Sequence, residues 1–486
     1  MLTTDEIKEI INREKQLKGE SITAQRYYEG NHDITNYKLF YYDGDGMLKE
    51  DKTKSNIKIS HPFFMELVDQ LVQYMLSGKD AFVYSSDDSL QKILDRQFNN
   101  NDAFKAELHE LLTGVSVKGS EYMYMYRDSK DRLRFEVADS LGIAEVRAKD
   151  TSDHCDYIVR WYIDRIDKDS EKIRKIEVWD NEKTTFFVEE GDKGIILDEN
   201  VSMNPRPHTV YRKGDSLYSE SFGLIPFFRL DNNVKKRSDL YPIKALIDDY
   251  DLMSCSLSNN LQDLTEGIYV VKGYNGDNLT ELITNMKTKK AIGVGEEGDI
   301  DIKTVSIPYE ARKVKMELDE KNIYRFGMGF NSSQIGDGNI TNVVIKSRYS
   351  LLDLKCNKLE IRLKQFMRKL LKVVLKEIND EHGTDYQITD IDYDFKRETM
   401  VNESENITNE KVKAETTQIR INTLLNLVST IDDETLIMAM CDELDFDYEE
   451  IKGKIADMKD EQGLQDAKST LNGIEPIDEP IIAPGA

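Results

Sequence analysis

The chain has 486 residues, with 66 Lys and Arg against 91 Asp and Glu, a formal net charge of −25 and 39% apolar residues. That length supports about two to four domains with substantial cores. The charge excludes a free-standing basic grip on DNA, and leaves room only for DNA held by a local basic ring or confined in a channel.

Met1 to Glu20 is charged and helical in pattern, which is expected of a first helix and not of a signal peptide. Thr3 and Glu6 fit a capping box for a helix running to about Lys18, with Ile7, Ile10 and Ile11 on one side. A second helix is expected around Arg26 to His32. Asp43-Gly44-Asp45-Gly46 reads as a turn. A calcium loop is rejected there, because Met47 and Leu48 stand where a liganding side chain and the sharp-turn glycine are needed.

His61-Pro62 opens a helix with Phe64, Leu67, Val68, Leu71, Val72 and Met75 at helical spacing, ended by Gly78. Leu90 to Leu112 reads as helical again. The period then changes to two, predicting strands at 121–126, 133–137, 157–166, 172–179 and 184–188. Pro226 and the polar segment Arg229 to Lys236 suggest a boundary.

A helix from about Leu240 to Leu264 follows, without a basic residue after Lys244. Residues 267–307 change character: a short strand at Ile268–Lys272, a short helix near Leu279–Met286, then Ala291-Ile292-Gly293-Val294, and turn material from Gly295 to Asp299, together a small α/β insert between two helices. A second long helix spans about Tyr309 to Phe326. The glycine- and serine-rich segment after it is expected to be an exposed, adaptable loop. A helix of about 38 residues, Asn342 to Asn379, would be roughly 55 Å long. Its ten basic residues, from Lys346 to Lys376, sit at several helical phases and define no single stripe; a solvated face or ion pairs between subunits is the simpler reading than phosphate contact. Residues 387–396 read as a strand returning to the earlier sheet. Helices are expected at 402–429, 432–440 and 448–462, and a disordered tail at 473–486.

Chemistry is sparse. Cysteines stand at 155, 255, 356 and 441 with no CxxC pair, which excludes zinc ribbons and thioredoxin-like sites and points to free thiols in a reducing compartment. No apolar run reaches the roughly 18 residues of a membrane span. The six histidines form neither HxH nor HExxH, and Asp153-His154-Cys155 is rejected as a metal site because strand neighbours point to opposite faces. Gly293 to Gly298 mimics a phosphate loop, but Asp299 stands where the phosphate-neutralising Lys belongs. No catalytic, cofactor or metal residue is assigned.

Four segments, in this order and spacing, resemble the tailed-phage portal proteins of the SPP1 type. They are Tyr27-Tyr28-Glu29-Gly30-Asn31-His32-Asp33-Ile34, then Asn56 to Phe64 with Leu67-Val68-Asp69-Gln70 and Tyr74 to Lys79, then Gly223-Leu224-Ile225-Pro226-Phe227, and finally Asp319 to Phe326 followed by the loop and the long helix. Together they span most of residues 20–380. The loop departs from the family pattern, holding Asn339-Ile340-Thr341-Asn342-Val343 where a Ser/Gly-rich run usually leads to a small residue.

The resemblance implies an α+β portal fold assembled as a ring of about twelve copies. Residues 1–235 would form the wing, 236–266 and 308–326 the two stem helices, and 267–307 a small α/β clip. Residues 327–341 would be the tunnel loop, 342–400 the long wing helix with its returning strand, and 401–472 an α-helical crown before the tail. The function implied is that of the DNA channel at one capsid vertex, a head–tail connector that docks the terminase large subunit during genome packaging and head-completion or adaptor proteins afterwards, and passes DNA on ejection. Double-stranded DNA, the major capsid protein and scaffolding protein are the other implied partners; no membrane and no cofactor is implied. The place would be the virion, after assembly in the host cytoplasm.

Candidate channel residues are Asp248, Asp249, Asp251, Asp263, Arg312, Lys313, Lys315, Asn331, Ser332, Ser333, Gln334, Asp337, Asn339, Lys346 and Arg348. The acids of the first stem helix would repel DNA and keep it from sticking. Candidate clip residues for motor docking are Tyr274, Asn275, Asp277, Lys287, Lys289, Lys290, Glu296 and Glu297. The alternatives are another virion head–neck structural protein or a metal-dependent nucleic-acid enzyme built on clustered carboxylates.

Overall fold

The computed structural model describes residues 2–43, 45–52, 54–78, 81–128, 131–147, 155–166, 172–190, 194–213, 216–263, 268–272, 299–303, 309–331, 342–398, 403–427, 432–444, 446 and 448. They belong to two compact units, one of residues 1–338 with 345–399, the other of residues 339–344 with 400–486.

The first unit opens with α1 (Thr4–Leu17) and α2 (Gly19–Tyr28). The capping box is complete: the Glu6 amide donates to the Thr3 hydroxyl at 3.3 Å and the Thr3 amide to the Glu6 carboxylate at 2.8 Å. Asp43–Gly46 is the turn of a small hairpin, β1 (Phe40–Tyr42) and β2 (Leu48–Glu50). The Asp43 carboxylate accepts from the Asp45 and Met47 amides at 3.0 and 2.9 Å and is committed to the turn.

Helix α3 (Phe63–Met75) buries all six apolar positions read from its spacing. After β3 (Val83–Tyr84), the helical stretch expected at 90–112 is two helices, α4 (Asp88–Leu94) and α5 (Asp102–Lys118), joined through a wide helical turn at Asp95–Asn99. Buried Asn99 makes the break. It accepts from the Phe82 and Val83 amides at 3.1 and 3.2 Å and donates to the Val83 carbonyl at 2.6 Å. Asn101 then caps α5 by accepting from the Phe104 amide at 3.2 Å. The apolar period runs unbroken through Leu90, Leu94, Phe98 and Phe104, all buried, so hydrophobicity alone conceals the break.

Eleven antiparallel strands follow: β4 (Ser120–Arg127), β5 (Leu133–Ala138), β6 (Ile143–Arg147), β7 (Cys155–Ile166), β8 (Lys172–Trp179), β9 (Lys183–Glu190), β10 (Gly194–Leu197), β11 (Arg206–Pro207), β12 (Thr209–Lys213), β13 (Ser216–Glu220) and β14 (Phe227–Asp231). The larger sheet runs β10-β9-β8-β7-β6 with β11 on β9; β14-β4-β5 and β12-β13 are separate. Ile7 and Ile11 of α1 pack on the larger sheet against Ala144, Val159, Trp161 and Ile176. The boundary expected at 229–236 moves, because Arg229 to Asp231 belong to β14 and pair with Tyr122 to Ser120.

Helix α6 (Lys244–Asp263) leads to the antiparallel pair β15 (Ile268–Lys272) and β16 (Asp299–Lys303), and then to α7 (Tyr309–Gly327). The partner of β15 is at 299–303; the helix expected near 279–286 and residues 291–298 lie outside the described residues. The long helix α8 (Asn342–His382) has 41 residues and a length of about 60 Å. The strand expected at 387–396 shrinks to β17 (Asp392–Tyr393), which pairs with β3 and not with either larger sheet, because a helical turn occupies Ile388–Asp390. One core joins α3, α5, α8 and the β4 sheet through Phe64, Leu71, Leu111, Met123, Leu363 and Leu370.

The second unit holds α9 (Glu403–Asn426) and α10 (Asp433–Leu444), tied by Arg420 to Glu443 at 3.1 Å. The expected helix at 448–462 and the tail lie outside the described residues. The α+β class read from the sequence is the class the chain adopts.

Candidate functional site

The helix pair α6 and α7 is fixed to the first unit at one end by a buried charge. Ile247, Asp251 and Cys255, at i, i+4 and i+8, are the buried stripe of α6. Asp251 is 0% exposed. One carboxylate oxygen meets His32 Nδ1 at 2.6 Å; the other takes the His61 amide at 3.0 Å and His61 Nδ1 at 2.8 Å. Burial opposes ionisation of Asp251, but the hydrogen bonds from the two histidines outweigh it and hold the carboxyl below the usual range. Asp251 is therefore withdrawn from the candidate channel wall: its carboxylate is enclosed within one protomer.

The neighbouring candidates are matched as well. Asp248 pairs with Lys244 at 2.7 Å and accepts from the Tyr27 hydroxyl. Lys244 also holds Asp33 at 2.6 Å, and with Arg26 it keeps that carboxyl at about 2 against its burial. Asp249 and Lys315 pair across the two helices, and Lys315 bonds Asp319 as well. Lys313 lies 4.0 Å from Glu317. Arg312 leaves one guanidinium nitrogen buried without a partner among the described residues. Asp248 and Asp249 are thus ion-paired within the protomer, each to a lysine that also holds a second carboxylate, and Asp251 is enclosed by hydrogen bonds. The side chain of Asp263 lies outside what is described, as do all eight clip candidates and Ser332, Ser333, Gln334, Asp337 and Asn339.

The start of the segment expected to be an exposed loop is instead packed. Gly327 and Gly329 lie so close to Leu67 that an added Cβ would meet its methyl carbons at 2.6 and 2.3 Å. Gln70 clamps the next residue from both sides, accepting from the Phe330 amide at 3.2 Å and donating to its carbonyl at 2.9 Å. The Phe330 ring lies 4.8 Å from Tyr349, Asn331 donates to Glu320 at 2.5 Å, and Lys355 donates to the Gly327 carbonyl at 3.2 Å. Residues 327–331 are therefore a fixed root, seated on Leu67 and Gln70 of α3. Replacing Gln70 by Leu removes both bonds to Phe330 and is expected to destabilise this root by about 1–3 kcal/mol. Hydrogen exchange at residues 327–331 checks it; unchanged protection of the Phe330 amide would count against the clamp.

Lys346 is exposed and Arg348 half-buried, both on the first turns of α8 beyond the loop. Sequence reasoning missed His32, His61, Gln70 and Glu66 as anchoring residues. The signal was present: His32, His61 and Gln70 stand inside the segments that carried the resemblance, and those segments converge on α6 and α7. Tyr324, from the fourth segment, donates to Glu66 at 2.6 Å.

One alignment invites an enzymatic reading. Ser254 Oγ lies 3.5 Å from His61 Nε2, and His61 Nδ1 faces Asp251. Ser254 sits in mid-helix, where the backbone N–H groups beside it are committed to the helix and cannot form an oxyanion hole. No group of three or more potential ligands that could hold a metal occurs among the described residues.

A family model described as phage portal protein, SPP1 Gp6-like, matches residues 7–463 of the chain. The portal protein of Bacillus phage SPP1 is 27% identical over 359 residues, covering 74% of this chain and 69% of the relative. The portal protein of Clostridium phage phiCD119 is 25% identical over 422 residues, covering 82% and 87% respectively.

Proposed function

The chain belongs to the SPP1 Gp6-like phage portal protein family, and from that premise we propose that it forms a ring of about twelve copies at one vertex of the capsid, around a passage for double-stranded DNA. In this reading the ring docks the terminase large subunit during packaging and an adaptor or head-completion protein afterwards, and releases DNA on ejection. ATP hydrolysis resides in the terminase; the portal acts through geometry. The first unit supplies the wing, α6 and α7 the stem, residues 267–307 the clip, residues 332–341 the free part of the tunnel loop, and the second unit the crown. The capsid and scaffolding proteins surround the wing.

The observation that carries the assembly reading is the helix pair. On α7, Ile323 is buried, while Val314 and Leu318 are 61% and 51% exposed on the opposite side. On α6, Leu261 is exposed as well. Two helices cannot bury apolar side chains on more than one side by themselves. A heterologous ring gives every protomer two neighbours and covers both sides. The ion-paired Asp248 and Asp249 and the enclosed Asp251 suit the same task. A stem held by internal ion pairs offers a duplex few free cations to stick to and few free anions to be repelled by. Electron micrographs and native mass spectra of the purified full chain test this: rings of about twelve with a hole wide enough for duplex DNA are expected, and protomers or dimers alone at high concentration would overturn it.

A further inference from the structure

The cations of α8 fall into two classes. Lys355 pairs with Asp239 at 3.0 Å, and Lys364 with Glu360 at 2.7 Å. The acids of the same stretch are also engaged: Asp353 by Tyr74, Glu360 by Lys364 and Arg397, and Glu377 by Arg127. Lys358, Arg362, Lys369, Lys372 and Lys376 have no acidic partner among the described residues, and the four lysines are exposed.

These five are not scattered. At about 100° per residue they fall in an arc of about 80°, spaced i, i+4, i+11, i+14 and i+18, and span about 27 Å of helix. Gln365 fills the same arc, and no acid or apolar residue stands in it between 358 and 376. Exposed Lys346 and Arg368 also lack an acidic partner among the described residues and lie off this arc, so the stripe gathers five of the unpaired cations and not all of them.

We propose that this stripe is a second DNA-binding element, outside the candidate channel residues, which takes the phosphate backbone of duplex DNA along α8. The proposal rests on the portal reading for its partner. The chemistry favours a polyphosphate over a protein surface. Lysine is depleted from the cores of protein interfaces, which need apolar area at their centre. The N-terminal part of α8 has exposed Leu351 and Leu354; along the stripe the exposed apolar residue is Ile361, which stands about 20° outside the arc. A duplex carries one charge per about 1.7 Å of axis, so about 27 Å of it presents roughly 16 phosphates to five cations. The net charge of −25 does not prevent this, because fields are screened within about 8–10 Å and the local stripe decides.

The test is the salt dependence of binding of a fluorescent 30-base-pair duplex to the full chain. Each lost phosphate contact lowers the slope of log K against log salt by about 0.9. The variant Lys369→Gln, Lys372→Gln, Lys376→Gln is expected to lose about 2 to 3 in slope. The triple Lys→Arg variant is expected to keep it. So is Lys8→Gln, Lys92→Gln, Lys105→Gln, which removes the same charge from exposed sites elsewhere. Equal losses in both Gln variants, or a wild-type slope near zero, would overturn the proposal. So would a stripe variant whose DNA slope is unchanged but whose ring mass falls, since that assigns the stripe to a neighbouring protomer. Native mass spectra of the same samples read the ring separately, so a chain that binds through the stripe without forming rings counts against the portal reading alone.

Discussion

Replacing Asp251 by alanine is expected to lower the unfolding free energy of the first unit by about 3–5 kcal/mol, the range for removing one member of a buried charged cluster. The carboxylate receives His32 Nδ1, His61 Nδ1 and the His61 amide, and its side chain has no exposed surface. Alanine leaves the buried His32 ring and a backbone donor without their acceptor and opens a small void beside Cys255. Asn keeps the size and one acceptor oxygen, so Asp251→Asn should cost clearly less. Urea unfolding followed by far-UV circular dichroism measures both. If the alanine variant stays within about 1 kcal/mol of the wild type, the cluster does not anchor the helix pair.

The second large effect concerns assembly and not protomer stability. Val314→Glu with Leu318→Glu places two charges on the exposed side of α7. Covering a Val or Leu side chain contributes about 1.5–3 kcal/mol. Losing two such side chains at each contact weakens it by roughly 10²- to 10⁴-fold. Circular dichroism and thermal unfolding of the protomer should stay near wild type, because both side chains already face solvent in a single copy and surface changes rarely exceed about 0.5 kcal/mol. Sedimentation velocity should then show protomers where the wild type shows rings. Rings of unchanged mass would place this face of α7 away from the subunit contact.

Long periodic elements were legible. The apolar positions of α3, the strand at Lys172–Trp179 and the helices α6, α7 and α8 lie within a few residues of their expected places. Elements set by one polar side chain were not. Asn99 breaks a helix that the hydrophobic period continues, and Gln70 ties down a glycine-rich segment that composition alone marks as loose. The short strands β10 to β13 escaped because few residues carry their pattern. The wall candidates failed in an instructive way. A run of aspartates after Lys244 looks like a free surface, but Asp248 and Asp249 pair with Lys244 and Lys315, and Asp251 is hydrogen-bonded by His32 and His61. The Lys244–Asp248 pair is local, but nothing in local spacing announces Lys315, 66 residues from Asp249, or His32 and His61, 219 and 190 residues from Asp251. The stripe on α8 shows the converse: ten basic residues look patternless until folding pairs some of them.

The core of the first unit also sets an order of events on the ribosome. Phe64 and Leu111 pack in one cluster with Leu363, Leu370 and Phe395. At about 5–20 residues per second, roughly 15–55 s separate synthesis of α5 from that of residue 395. Throughout that interval α3 and α5 lack their long-helix cover, and their apolar faces stay open to nascent chains on the same message. The helix pair emerges meanwhile, so α6 and α7 are made before the core that includes Ile247 and Ile323 is closed. The first unit is thereby kept from closing its core until nearly the whole of it has been synthesised.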